Sequence, residues 1–267
     1  MIAPDGTVCE ITGDGPAVVL VHGFGLDRHM WQWLVPDLAG FKVVTYDLIG
    51  HGQSPDPQGK PDLRMFAEQI LRLIDHCGIE RCAVAGFSLG GMIARRFALD
   101  HADRVTALAI LNSAHDRTPE ERAAILKRVC AARRSGPSAT VEPALGRWFT
   151  APFRHANPAV IDQVRRWVVA NRADVYRQIY RVLAEADAEL AQPIRAIRCP
   201  TLVMTGAEDR GNSPAMTRRM AEVIPGAEAV VLPGLRHMGL AENPALFNGP
   251  LVGFLNRALS PTGASGS

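Results

Sequence analysis

Residues Gly86-Phe87-Ser88-Leu89-Gly90 place a hydroxyl in a G-x-S-x-G pattern, inside the run CAVAGFSLGG. A short apolar stretch, Cys82 to Ala85, leads in, and a helix-patterned stretch, Leu89 to Leu99, leads out. A serine on such a sharp strand-to-helix turn is held in a strained backbone with its Oγ above the sheet, and the flanking glycines let neighbouring segments approach. The helix start beside it offers unpaired N–H groups that favour negative charge. The chemistry this suits is acyl transfer, with Ser88 as nucleophile. Five positions alone would also describe an ordinary turn; the partner residues further along the chain make the difference.

A serine hydroxyl needs a base, and the base needs an orienting carboxylate. With this elbow, the partners come in the chain order Ser, then Asp or Glu, then His. The apolar stretch Thr201 to Thr205 runs into Gly206-Ala207-Glu208-Asp209, and Ala229 to Leu232 runs into a loop carrying His237. Asp209 is chosen over Glu208 because its G-x-x-D spacing matches related folds, and His237 is the base. Of the other histidines, His29, His76, His101, His115 and His155 read as surface or helix-end residues. His51, in Gly50-His51-Gly52, reads as structural. An oxyanion needs donors as well. The segment His22-Gly23-Phe24-Gly25 follows a strand and offers the Phe24 N–H, while Leu89 offers the N–H just after the nucleophile. Each such donor contributes roughly 3 kcal/mol to transition-state stabilisation. His22 itself reads as a loop brace.

Several classes of function find no support. The chain has 29 basic and 27 acidic residues, net +2, which gives no strong field for nucleic acid or an acidic membrane. The doublets Arg95-Arg96, Arg133-Arg134, Arg165-Arg166 and Arg218-Arg219 read as solvated helix faces. Five cysteines without a C-x-x-C pair argue against a disulfide framework and against a zinc site. There is no H-E-x-x-H, no close histidine cluster, no G-x-G-x-x-G and no Walker lysine, so neither a metal nor a cofactor is expected. No signal peptide is visible, and no apolar run nears the ~20 residues that span a bilayer. The expectation is a cytoplasmic protein acting on a small molecule, with neither nucleic acid nor membrane as partner.

Positioning these residues requires a sheet. Ala17 to His22, Phe41 to Tyr46, Cys82 to Ala85, Ala107 to Leu111, Thr201 to Thr205 and Ala229 to Leu232 read as strands. Their nearly continuous apolar character suits a mainly parallel sheet buried on both faces. Leu63 to Cys77 has helical spacing, with Gly78 as its stop. Strands alternating with helices predict an open α/β sheet. The alternation lapses from about Asn112 to Ile197. There, Thr118-Pro119-Glu120-Glu121 is a capping box, Asn157-Pro158 opens a helix, and Asp174 to Ala186 is another. The division expected is a core over 1–112 and 198–260, a helical cap over 113–197 across the C-terminal edge of the sheet, and a flexible tail over 261–267.

Taken together, HGFG at His22, DLIGHGQS at Asp47, GFSLGG at Gly86, GAED at Gly206 and the late His237 resemble the α/β-hydrolase superfamily over nearly the whole chain. Within it the chain looks most like the 3-oxoadipate enol-lactonases. That similarity rests on GFSLGGMIAR, RWFT at Arg147, FRHANP at Phe153, IPGAEAVVLPG and HMGLAENPALFN. The resemblance implies an α/β-hydrolase fold with a mostly parallel central sheet, flanking helices and a helical cap insertion. It implies hydrolysis of a small ester or lactone through an acyl-enzyme on Ser88, with selection by the cap. Arg147 would pair with a substrate carboxylate, and Trp148 and Trp31 would wall the pocket. Two departures bear on the substrate: Ile49 stands where D-x-R-G-H-G members carry Arg, and His237-Met238-Gly239 replaces H-L-S. The same residues also fit a general carboxylesterase or thioesterase, or a cofactor-free perhydrolase. A binding or receptor protein on a hydrolase fold is the alternative of another class; the intact Ser, Asp and His favour an enzyme.

Overall fold

The computed structural model describes residues 1–260, apart from the side chains of 133–135; the tail expected at 261–267 and the Arg133-Arg134 doublet lie outside the described residues. Seven strands form one sheet: β1 (Cys9–Thr12), β2 (Ala17–Val21), β3 (Lys42–Tyr46), β4 (Cys82–Phe87), β5 (Val105–Leu111), β6 (Thr201–Gly206) and β7 (Glu228–Leu232). Their order is β1-β3-β2-β4-β5-β6-β7. β1 runs antiparallel to β3, and every other pairing is parallel.

The physical basis is the run of small and branched apolar residues. β4 and β6 are buried at every position, as strands covered on both faces must be. Two edges depart from the expectation. β1 carries no apolar run that would mark it in sequence, because its polar residues alternate outward, with Glu10 and Thr12 exposed beside buried Cys9. β7 is only half covered, with Glu228 and Ala229 exposed.

Helix α1 (Leu63–His76) begins at Asp62, whose carboxylate accepts from the Met65 N–H at 2.8 Å. It buries Phe66, Ile70, Leu73 and Ile74 on one face, and Gly78 at φ +63° ends the turn beyond it. α2 (Leu89–Asp100) packs beside it. Between β5 and β6 lie only helices: α3 (Pro119–Ser135), α4 (Ser138–Trp148), α5 (Ala151–Ala156), α6 (Pro158–Val169) and α7 (Ala173–Leu190). α3 opens with the expected capping box, in which Thr118 and Glu121 each accept the other's backbone N–H. α7 packs on α3 within this insertion and on α2 below it. α8 (Pro214–Val223), α9 (Gly239–Glu242) and α10 (Pro244–Leu259) complete the chain.

Two expectations about surface residues are corrected. Arg95 is fully buried on α2, where it donates to the Gly91 carbonyl at 3.0 Å, Ser113 Oγ at 3.1 Å and the Ala114 carbonyl at 2.7 Å. Helix packing against the loop after β5 draws it inward, and burial lowers its pKa to about 9, still charged at neutral pH. Arg96 is only partly exposed and pairs with Asp100. His115 is buried rather than exposed, because the chain reverses after β5 with Asn112 and Asp116 both at positive φ. Burial lowers its pKa to about 4.

The turn after β4 is packed too closely for any side chain at its glycines. A Cβ on Gly90 would lie 2.1 Å from the Val21 carbonyl oxygen at the end of β2, and one on Gly86 would lie 2.1 Å from the Gly90 oxygen. Both obstacles are backbone. Gly90→Ala is therefore expected to lower stability by about 1–3 kcal/mol or more, read as a lower urea midpoint at unchanged slope. An unchanged midpoint would contradict this packing.

Candidate active site

The sheet order reverses at β2: the chain moves outward to β3, then returns across β2 to start β4. At such a switch point the loops at the strands' C-terminal ends part and leave a crevice. Val21 pairs with Gly86, so the loop after β2 and the turn after β4 emerge side by side. Ser88 sits on that turn at φ 57°, ψ −111°, a conformation that costs a non-glycine residue about 1–3 kcal/mol. It is held there by its own backbone. Its N–H donates to the Leu111 carbonyl at 2.8 Å, and its carbonyl accepts from Ser113 Oγ at 2.7 Å. Arg95 donates to that same Ser113 hydroxyl, so the buried arginine braces the turn from behind.

Asp209 follows β6 and His237 follows β7, two strands along the same edge. His237 Nδ1 lies 2.7 Å from Asp209 Oδ2; since a carboxylate only accepts, Nδ1 carries the proton and Nε2 is left free to take one. Burial alone would raise the Asp209 pKa. The His237 contact, the Asn112 amide at 3.0 Å and the Asn212 N–H at 3.0 Å together hold it below the usual carboxylate value. Glu208 instead lies half-exposed, with Arg236 Nε 3.6 Å from its carboxylate. Asn112 is a residue that sequence reasoning missed. Its signal was its place directly after β5, and asparagine tolerates the φ of 47° found there. The His237 ring packs near Phe87, at 4.8 Å between centroids, and Trp148, at 5.9 Å. Ser88 and His237 line one cavity. Among the described residues Ser88 Oγ makes no hydrogen bond; contacts of this kind commonly tighten only when substrate is bound.

The N–H groups of Phe24 and Leu89 have no acceptor among the described residues. The loop carrying Phe24 is braced by two neutral histidines. The Leu48 N–H donates to His22 Nε2 at 2.9 Å, and the Gly25 N–H donates to His51 Nε2 at 3.1 Å. Burial lowers the pKa of His22 to about 4 and that of His51 to about 3, so both nitrogens remain acceptors at neutral pH.

Helices between β5 and β6 complete the cavity wall. Arg147 and Trp148, at the end of α4, line it, together with Tyr176 and Tyr180 from α7 and Arg128 from α3. Trp31 does not line it. The 3₁₀ turn Arg28–Trp33 buries Trp31 completely in the core, so its expected place in the pocket wall is corrected. The end of α4 is tied to the His237 loop. The Met238 N–H donates to the Trp148 carbonyl at 3.0 Å, and Arg236 Nη1 reaches the Gly146 and Phe149 carbonyls at 2.9 and 3.1 Å. Glu242 accepts from the N–H groups of Thr150 at 2.6 Å and Arg236 at 2.9 Å. Among the described residues, no group of three or more His, Cys, Asp or Glu could hold a metal ion, and no helix is long and apolar enough to cross a membrane.

A mostly parallel seven-stranded sheet with a serine elbow at its switch point and a helical insertion over its C-terminal edge defines an α/β-hydrolase fold, and the family model of that description matches residues 16–244. The chain belongs to the α/β-hydrolase family. It is similar to the enol-lactonase from Burkholderia xenovorans LB400, with 31% identity and a TM-score of 0.87 over 94% of this chain and 96% of that one. Two proteins of Acinetobacter baylyi are also similar. One is 3-oxoadipate enol-lactonase 1, 30% identical over 73% of this chain and 72% of its own length. The other is (E)-2-((N-methylformamido)methylene)succinate hydrolase, 29% identical over 85% of each chain.

Proposed function

We propose that the protein is a serine hydrolase that cleaves a small carboxylic ester or lactone through an acyl-enzyme, with 3-oxoadipate enol-lactone as the first substrate to test. The observation that carries this reading is the Asp209–His237 pair opening onto the same cavity as a serine held at φ 57°. His237 Nε2 takes the Ser88 proton as Oγ attacks the carbonyl, and Asp209 stabilises the imidazolium that results. The N–H groups of Phe24 and Leu89 receive the oxyanion. Collapse opens the lactone, or expels the alcohol of an ester, with the proton returned from His237. Water activated by the same histidine then releases the acid and restores Ser88. An enol leaving group tautomerises to the ketone.

In this scheme residues 113–197 act as the selecting cap on a core made of 1–112 and 198–260. Arg147 is half-buried in the cavity wall, and its only hydrogen bond among the described residues is to the Pro143 carbonyl. It is the substrate-carboxylate partner in this reading, and Trp148 is a wall beside the base. Two relatives are named for derivatives of dicarboxylic acids, which supports an acidic substrate. Arg147→Gln is expected to raise KM for a carboxylate-bearing lactone roughly 10- to 100-fold, the loss of a charge-assisted hydrogen bond, with a smaller change in kcat. Equal effects on a neutral ester would argue against this role.

The test is hydrolysis of muconate-derived enol-lactone beside p-nitrophenyl acetate and butyrate, by wild type and Ser88→Ala. Fast lactone turnover that depends on Ser88 supports the full reading. Ester turnover without lactone preference supports the serine mechanism and removes the substrate. Binding of these compounds without Ser88-dependent turnover would replace the enzyme with a receptor on the same fold.

A further inference from the structure

Three guanidiniums, Arg117, Arg128 and Arg147, line the cavity above Ser88, and Asp209 is the single carboxylate among the described residues that line it. Asp209 is committed to His237. Arg117 has its own counter-ion, the fully buried Asp187 at 2.8 Å, which also accepts from Arg122 at 3.2 Å. Arg128 and Arg147 differ from it. Among the described residues Arg147 bonds only to a carbonyl of its own helix, and Arg128 makes no hydrogen bond or ion pair.

The two come from different helices, α3 and α4, so helix periodicity does not explain their meeting. After burial, the charge of Arg128 is the next cause holding the Arg147 pKa below the usual guanidinium value. Two cations lining one partly desolvated cavity repel one another. A surface arginine would normally turn to water and avoid this. Neutral hydroxyls complete the wall, with Tyr180 beside a Thr140–Tyr176 pair bonded at 3.1 Å.

We infer that Arg128 and Arg147 form a dianion subsite, so that the preferred ester or lactone carries two carboxylates besides the carbonyl that Ser88 attacks. The inference rests on the hydrolase reading and sharpens its substrate class from one carboxylate to two. A single carboxylate would leave one guanidinium without a counter-ion, whereas two carboxylates can each take a planar bidentate partner. Phosphate carries the same charge on one centre. The spread of the two cations over two helices favours two separate carboxylates.

The test reads a ratio. Succinate and glutarate are compared with butyrate and valerate as competitive inhibitors of Ser88-dependent p-nitrophenyl acetate hydrolysis, with inorganic phosphate alongside. In wild type the dicarboxylates should inhibit at least tenfold more tightly than the monocarboxylates of equal chain length, and this advantage should shrink with added salt. Arg128→Gln should bring the ratio below about threefold, and Arg128→Lys should restore part of it. Circular dichroism melts confirm that both variants fold. Equal inhibition by mono- and dicarboxylates in wild type, or a ratio unmoved by Arg128→Gln, overturns the inference. Phosphate tenfold tighter than either dicarboxylate overturns its two-carboxylate form. If no Ser88-dependent hydrolysis exists, the enzyme reading falls by itself. The same ratio, read by calorimetric titration of succinate and butyrate into wild type and Arg128→Gln, then decides the subsite on its own.

Discussion

Ser88→Ala is expected to lower kcat for whichever ester or lactone proves best by roughly a million-fold, the scale seen when a triad nucleophile is removed. The size of the effect comes from the site. Without Oγ no acyl-enzyme forms, and His237 and the two N–H donors can assist only a misplaced water. What remains should be about 10³–10⁴ over the uncatalysed reaction. The change should not stabilise the fold appreciably, because alanine keeps a Cβ at φ 57°. Ser88→Gly is the informative companion. It releases about 1–3 kcal/mol of backbone strain and loses about 0.5–1 kcal/mol to the greater freedom of the unfolded chain. The thermal midpoint should therefore rise or hold while turnover disappears. Residual Ser88→Ala activity within a hundredfold of wild type would sink the nucleophile assignment.

The second large effect is expected at Asp209. Asp209→Asn should reduce kcat about 10⁴-fold with little change in KM, because an amide can donate to Nδ1 and hold His237 with its proton on Nε2, where it cannot act as base. The acid dependence of stability carries a sign. The Asp209 pKa is depressed in the folded state, so its contribution is complete above the unfolded value of about 3.9 and is lost as pH falls through the depressed one. The stability difference between wild type and Asp209→Asn should thus shrink below about pH 4. A difference that did not shrink below about pH 4 would mean the folded protein does not hold this carboxylate ionised. Denaturant midpoints between pH 3 and 7 measure it.

Much of this site is legible in the sequence for one topological reason. In a parallel sheet every strand ends on the same edge, so residues just past an apolar run converge even when 97 positions separate them, as Asn112 and Asp209 show. Ser88, Asp209 and His237 all stand at such ends. The features that escape a sequence reading depend on packing between elements. Trp31 lies close in sequence to the Phe24 loop, yet one 3₁₀ turn sends it into the core. Arg95 resembles a solvated helix residue until the loop after β5 folds over it. Arg128 sits in a helix of mixed charge, and nothing in its spacing distinguishes it from Lys127. Its direction is set when α3 packs on α7 and α4. β1 escapes for the opposite reason: four residues with alternating polarity carry too little signal for an edge strand.

The bonds that join Arg236, Met238 and Glu242 to residues 146–150 make the His237 loop and the tip of α4 one mechanical piece. Under the proposed function, substrate choice and proton transfer are therefore not separable modules. A change of guest that pushes Trp148 moves the frame on which His237 hangs. In that scheme, exchanging residues 113–197 between relatives is expected to misalign His237 unless positions 236 and 242 travel with them. Drift in specificity along this lineage should consequently leave its trace on both sides of that seam.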